Sequence, residues 1–371
     1  MNSYYPASEE NNDDTRRRRR HDREQRRARR RRQAMLRRLR LLSVFAVIAL
    51  TVTAAMALID RQPEPETPAA PEPEQVLAAA PAPVLEIAEP EEPAWAITST
   101  PDTVQIGVDF PSQYVLLLDL ETGEVLAERE RTARINPASM TKILTLLVSA
   151  EHVTAGAMEM GYFTMTRAVA DYTYSNNCSV VGYEVDEVIP VKELFYGCIL
   201  CSGADACMGL ALTIFGSHEA IVEAMNEKLE ELGLSETSHF TNCVGLYDPN
   251  HYTTVEDMAI IMKAALENEF CKEVMSTITY QSVPTPQHQE GQVLSNLFSR
   301  RIQYQDTGAV TVSCAKTGYV EESGFCAASY GENPEGQGFI CVTGKSTGTQ
   351  QSIKDHAALY KAYCPGEIPE E

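Results

Sequence analysis

The sequence predicts an α/β body of the α+β kind: an antiparallel sheet with a helical region packed on it. Three observations carry this. "YVLLLDLETGEVLAERE" (114–130) is two strand-like runs around Glu121-Thr122-Gly123-Glu124, a hairpin signal. A long run of helical patterning follows. Short β-rich runs then return as "AVTVSCAKTG", "GFCAASYG" and "GFICVTG". A sheet whose first and last strands flank a helical region fits this order, so the hairpin and the strands around 311–343 are expected in one sheet.

The chain begins with a basic head. Residues 1–40 hold fifteen Arg against six Asp/Glu, whereas the whole chain carries a formal charge of −21. A basic head and an acidic body point to different compartments. An arginine run alone is also a nucleic-acid signal, but "LLSVFAVIALTVTAAMALI" (41–59) follows it, nineteen residues without a charge. That length crosses a hydrocarbon core, and flanking arginines hold their side in the cytoplasm. Residues 1–40 therefore read as a disordered cytoplasmic tail and 41–59 as a membrane anchor, with no nucleic-acid partner. The alternative is a signal segment, since Ala55-Met56-Ala57 fits a small-residue cleavage site that would release a secreted body.

Residues 60–103 read as a Pro/Glu/Ala-rich linker; nine of the twenty prolines fall within 60–95. Such a stretch cannot pack a core and acts as an extended spacer. A folded domain is expected over 104–364, outside the cell, with 365–371 as a tail.

Within that domain "TKILTLLVSAEHV" has helical spacing. "VKELFYGCILCSGADACMGLALTIFG" (191–216) reads as apolar helix broken near Ser202-Gly203. "SHEAIVEAMNEKLEELG" (217–233) is amphipathic and ends at Gly233, a helix C-cap signal, and "TTVEDMAIIMKAALEN" is a further helix. All ten cysteines lie between Cys178 and Cys364. In an exported domain an even number suggests disulfides. The reading preferred here is that several are small core hydrophobes, because Cys198, Cys326 and Cys341 sit in apolar runs.

Three short stretches carry chemistry. The first is Ser139-Met140-Thr141-Lys142; Lys142 is the first lysine in the chain. Positions i and i+3 share a helix face, so the Ser139 hydroxyl and the Lys142 amine can meet. Serine becomes a nucleophile when a neighbour takes its proton. Lysine can do so when neutral, a state favoured by desolvation or a second cation. The second stretch is Lys316-Thr317-Gly318 on a strand. Lys316 and Thr317 can hold a carboxylate and supply that second cation, and Gly318 lets a substrate backbone approach the strand. The third is Ser202-Gly203-Ala204-Asp205 at the helix break, where Ser202 can relay a proton. Taken singly, each has a plain alternative: a capping serine with a snorkelling lysine, a surface turn, a small-residue junction.

Their order and spacing, S-x-x-K, a serine turn and then K-T-G, resemble the penicillin-binding enzymes. The body is similar to the serine-type D-alanyl-D-alanine carboxypeptidases, the low-molecular-weight penicillin-binding proteins. "INPASMTKILT", "ELFYGCILCSGADACMGLA", "EAMNEKLEELGLSETSHFTNCVGLYDPNHYTTVEDMAII" and "AKTGYVEESGFCAASY" carry the likeness. The resemblance implies the serine β-lactamase/penicillin-binding-protein fold and removal of the terminal D-alanine from peptidoglycan pentapeptide stems. β-Lactams would be covalent inhibitors. It implies Ser139 as nucleophile, Lys142 as base, Ser202 as relay, and Lys316 and Thr317 as carboxylate holders. It also implies an oxyanion hole from the N–H groups of Ser139 and Tyr319. No cofactor or metal is expected, and the histidines show no H-E-x-x-H pattern. Gly344-Lys345-Ser346-Thr347-Gly348 formally matches G-x-S-x-G but reads as a strand-end turn.

One position departs from the family. The second motif usually ends in asparagine; here it is Ala204, with Asn242 as a candidate substitute. Two rival readings follow. A class A-like β-lactamase shares the fold, but its E-x-x-L-N signature is missing. A wall-sensing protein that binds penicillin with little turnover is the other, and Ala204 favours it.

Overall fold

The computed structural model describes residues 96–366. The arginine-rich head, the apolar segment 41–59, residues 60–95 of the linker and the last five residues lie outside the described residues. Among the described residues no helix is long and apolar enough to cross a membrane.

The chain opens with β1 (Thr98–Gln105), β2 (Tyr114–Asp119) and β3 (Glu124–Arg129). A 3₁₀ turn (Ala138–Thr141) leads into α1 (Lys142–His152), α2 (Ala155–Met160), β4 (Tyr162–Thr164), α3 (Arg167–Ser175) and β5 (Val188–Pro190). Then come α4 (Val191–Leu200), α5 (Ala204–Leu210), α6 (His218–Glu231), α7 (Val255–Glu267) and α8 (Glu269–Ser276). After β6 (Thr279–Gln281), β7 (Val293–Ser295) and α9 (Leu297–Ile302), the chain closes with β8 (Thr311–Val320), β9 (Gly324–Glu332), β10 (Gly338–Ser346) and α10 (Thr349–Tyr363).

One six-stranded sheet runs in the order β1-β3-β2-β10-β9-β8, so the early hairpin and the late strands share it as expected. Every pairing in it is antiparallel except β1 against β3, which is parallel. β1 also occupies the last residues of the stretch read as linker to 103. Its sequence "TSTPDTVQ" alternates poorly, and it is held as an edge strand by ladder bonds to β3.

β2 lies inside the sheet, and its residues divide between two cores. Leu116 and Leu118 face the helical region with Ile143, Leu147, Phe195 and Met262. Val115 and Leu117 face the other side with Phe298, Ile353 and Tyr360. Successive strand residues point to opposite faces, and both faces here are covered. That is why β2 reads as an unbroken apolar run. The sheet therefore has a second helical layer, α9 and α10, that the single helical region of the sequence reading did not include.

α1 is the central helix, buried from Lys142 to Ser149. Polar side chains fix several helix starts: Ser217, Thr254 and Asn268 each accept a first-turn N–H at α6, α7 and α8. Gly233 has φ +74° just beyond α6, the left-handed stop expected there. Gly344–Ser346 belongs to β10, so the G-x-S-x-G match is strand end and turn. All ten cysteines are free thiols, seven of them buried, which supports the core-hydrophobe reading over disulfides.

Candidate active site

Ser139 sits on the 3₁₀ turn rather than in the helix proper. In a 3₁₀ turn side chains at i and i+3 eclipse. This stacks Lys142 over Ser139, and Lys142 Nζ donates to Ser139 Oγ at 2.9 Å. Lys142 is 2% exposed, and its Nζ also donates to the Val244 carbonyl at 2.6 Å.

The turn is braced from behind. Asn136 Oδ1 accepts from the Ala138 N–H (2.9 Å), and Ala138 has φ +47°. Thr141 Oγ1 donates to the Ala138 carbonyl at 2.7 Å. His251 Nδ1 accepts from the Thr241 N–H at 3.0 Å, which leaves the ring proton on Nε2, 2.8 Å from Thr141 Oγ1. Burial pushes the His251 pKa down to about 3, so the ring is a neutral brace.

The opposite side of the cleft is β8. Lys316 Nζ donates to Ser202 Oγ and to the Thr317 carbonyl, both at 2.8 Å. Lys316 is itself depressed: burial, then the charge on Lys142, bring its pKa to about 7. Gly318 has a different reason from the one expected. A Cβ there would fall 2.7 Å from the Pro137 carbonyl oxygen and 2.9 Å from Ser139 N. The glycine lets the strand press against the turn that bears Ser139. Tyr319 follows, 56% exposed and stacked on Phe325.

Ser202 stands at the break between α4 and α5 with φ +54°. Ala204 beside it is 1% exposed, and its N–H donates to Ser179 O at 2.8 Å. The carboxylate of Asp205 accepts the N–H groups of Val181 (2.9 Å), Gly182 (3.0 Å) and Ala206 (2.9 Å). The loop around 178–183 is thereby fastened to the second motif as a wall.

Ser139, Lys142, Ser202, Ala204, Thr317, Gly318 and Tyr319 all line one cleft of about 420 Å³, with Lys316 behind it. Every expected site residue is thus gathered. Asn242 does not stand in for the missing amide. Its Oδ1 accepts the N–H groups of Val244, Gly245 and Leu246, and its Nδ2 donates to Leu246 O. It shapes the loop that presents Val244 to Lys142, and Gly245 there (φ +81°) lies hard against Ala138.

The sequence reading gave no site role to Asn177, Cys178, Asp205 or His251. The first two line the cleft. Asn176 spends its amide on the Tyr172 carbonyl at 2.8 Å, whereas among the described residues no hydrogen bond engages the Asn177 carboxamide. Asn177 itself is held at φ +53°. An asparagine with positive φ at a helix C-terminus is a recognisable signal, though "SNNC" does not say which asparagine takes it. Among the described residues no group of three or more His, Cys, Asp or Glu is arranged to hold a metal ion.

A Ser-Met-Thr-Lys turn and a Lys-Thr-Gly strand closing on one cleft define the penicillin-binding class. The chain belongs, within that class, to the D-alanyl-D-alanine carboxypeptidase family, whose model matches residues 99–342. It is 32% identical over 239 residues to D-alanyl-D-alanine carboxypeptidase DacF of Bacillus subtilis, covering 64% of this chain and 59% of that one. With DacA of Escherichia coli K12 the identity is 34% over 164 residues, 41% of this chain and 38% of the relative. The chain spans roughly two fifths to three fifths of the length of these curated relatives. The fold is shared with the Streptomyces K15 DD-transpeptidase (TM-score 0.60, 23% identity, 69% of this chain and 98% of that one). It is shared equally with a D-alanyl-D-alanine carboxypeptidase of Mycobacterium tuberculosis H37Rv (TM-score 0.60, 23% identity, 71% and 94%).

Proposed function

We propose that this protein removes the terminal D-alanine from peptidoglycan stem peptides through an acyl-enzyme on Ser139. The observation that carries the reading is the paired contact of two lysines with two serines on one cleft, Lys142 with Ser139 and Lys316 with Ser202.

Lys142 accepts the Ser139 proton as Oγ bonds to the carbonyl carbon of the penultimate D-alanine. The oxyanion takes hydrogen bonds from the N–H groups of Ser139 and Tyr319. Lys142 returns that proton by way of Ser202 to the leaving amine, the peptide C–N bond breaks, D-alanine departs, and the base is free again. Lys316 and Thr317 hold its carboxylate. Water, deprotonated at the same base, then cleaves the ester. The amide that Ala204 lacks is supplied by Asn177, whose carboxamide is uncommitted on the same cleft. β-Lactams acylate the same serine. The apolar segment 41–59 anchors the protein, with the body on the outer side of the membrane and no nucleic-acid partner.

Ala204 supports a second reading, a penicillin-binding wall sensor with little turnover. Release of D-alanine from a D-Ala-D-Ala peptide, absent in Ser139→Ala, supports the enzyme. A penicillin adduct on Ser139 without peptide turnover supports the sensor.

A further inference from the structure

The folded body is strongly acidic, but not evenly so. Residues 96–371 hold thirty-seven Asp/Glu against fifteen Lys/Arg. The stretch 274–305 holds a single carboxylate, Glu290, in thirty-two residues, and it carries Arg300 and Arg301. That stretch builds β6, β7 and α9.

Pairing in the two-stranded sheet puts Gln281 opposite Val293 and Thr279 opposite Ser295. Side chains alternate along a strand, so these four share one face, and Val283 and Leu297, two residues further on, continue it. The reverse face is turned inward, where Tyr280 and Leu294 join the helical core. On the outer face Val293 is 66% exposed, Leu297 53% and Val283 nearly half. α9 and the turn after it extend this face. Leu297, Arg300, Arg301 and Tyr304 recur at i, i+3, i+4 and i+7. All four are exposed, Tyr304 by 86%. Arg300 donates to Ser295 Oγ at 3.4 Å, which joins helix and sheet into one patch. Among the described residues neither arginine forms an ion pair. Asp306, the next carboxylate along the chain, is taken by Lys361 at 2.5 Å.

Aliphatic side chains, a tyrosine and unpaired arginines on one face suit a bilayer interface. The aliphatic groups enter the acyl boundary, the ring lies at headgroup level and the arginines meet lipid phosphates. A glycan offers Val293 and Leu297 no apolar medium to enter. Charge selects the face as well, because anionic lipid repels the acidic remainder of the body. The chain before the body supplies the reach. As an extended spacer, residues 60–95 span on the order of 100 Å from the apolar segment 41–59, enough for any face to meet the bilayer. Such a tether keeps the body at an effective concentration on the order of millimolar, where a weak contact suffices.

We propose that the face built by β6, β7 and α9 docks on a bilayer bearing anionic phospholipid. This rests on the anchoring reading of 41–59 and adds which side of the body meets the membrane. The face is also fastened to the cleft. Gln292 Nε2 donates to Val181 O in the cleft wall at 3.4 Å, and Asn296 Nδ2 to Ala315 O, next to Lys316, at 2.8 Å. Docking therefore holds the cleft close to the bilayer.

The test reconstitutes the full chain in nanodiscs of phosphatidylglycerol or of phosphatidylcholine. Each contains a trace of the same photoactivatable phosphatidylcholine, with a diazirine near the headgroup. After illumination, cross-linked peptides are located by mass spectrometry. In phosphatidylglycerol, labels are expected on 279–304 as well as around 41–59. Changing the matrix to phosphatidylcholine, or raising the salt, should cut the labelling of 279–304 roughly tenfold, as two arginines near an anionic surface allow. Val293→Glu with Leu297→Glu should abolish it. Arg300→Gln with Arg301→Gln should reproduce the loss seen in phosphatidylcholine. Acylation by benzylpenicillin should be unchanged in both variants. Labels spread evenly over the exposed surface, or unchanged on 279–304 in the variants or in phosphatidylcholine, overturn the docking face. Labels around 41–59 alone overturn it and leave the anchor standing. No label anywhere overturns both. Displacement of the 279–304 labels by soluble glycan strands overturns it in favour of the wall. The lipid and salt comparisons need no variant, so they decide the matter even where a substitution disturbs the fold.

Discussion

Lys316 Nζ and Ser202 Oγ, 114 residues apart in sequence, lie 2.8 Å from each other. The contact joins the last catalytic strand to the break between α4 and α5. It places a second lysine opposite the one that contacts Ser139, and in the proposed mechanism the two lysines divide the work of base and carboxylate anchor.

Removing the base tests that division first. Lys142→Ala should lower acylation of Ser139 by roughly 10²–10⁴-fold, the range for loss of a positioned general base. Stopped-flow acylation by a fluorescent penicillin measures it, with circular dichroism to confirm the fold. Acylation within tenfold of wild type would show that another group takes the Ser139 proton.

Lys316 sets a pH limit. Its pKa lies at about 7, lowered by burial and by the charge on Lys142. It is cationic below that value and neutral above. Binding of a substrate carboxylate therefore weakens as pH rises through 7. kcat/KM for a D-Ala-D-Ala peptide should have a descending limb near pH 7 that is absent for a substrate ending in an ester. The same limb in both substrates would assign it to another group.

In the proposed mechanism Asn177 takes the role that Ala204 leaves vacant. Asn177→Ala should cut kcat/KM on the peptide about tenfold or more, since a hydrogen bond that strengthens in the transition state contributes about 1–3 kcal/mol. Ala204→Asn should leave activity flat or lower it, because position 204 is buried against the fastened loop. A gain of tenfold from Ala204→Asn would show that the amide is simply missing.

Two buried histidines govern stability in acid. His251 and His356 are held neutral, each with its pKa pushed down to about 3 by burial. The unfolded chain protonates them near 6.5. Between those values the unfolded state binds more protons, so stability falls as pH falls from about 6.5 toward 3. The pair contributes about 1.4 kcal/mol per pH unit each, or about 4 kcal/mol lost by pH 5. Urea unfolding from pH 7 to 5 should show this slope, and His356→Gln should flatten it by about half. A slope unchanged in that variant would remove His356 from the account.

Local signals made much of the fold legible. The hairpin turn, the glycine stop of α6 and the apolar runs of β8, β9 and β10 each announced themselves. The three motifs could be read because their residue types are scarce in combination. What stayed hidden depends on tertiary contact. β1 reads as linker until its parallel pairing with β3 is seen. Asn242 is a polar residue near a motif, and only the three N–H groups it accepts show that it shapes a loop instead of binding substrate. Gly318 is legible as a close approach, but the sequence cannot say that the neighbour is the turn bearing Ser139. His251 sits alone in "DPNHY", with no pattern to link it to Thr141 across 110 residues.

The central claim is that Ser139 is the acylated nucleophile of this cleft. The most direct measurement is to incubate the protein with a fluorescent penicillin, digest it and locate the adduct by mass spectrometry. The account predicts one ester-linked label on the peptide containing Ser139, lost in Ser139→Ala. A label on Cys178 or Cys326, the thiols lining the same cleft, or no label at saturating penicillin, would contradict it.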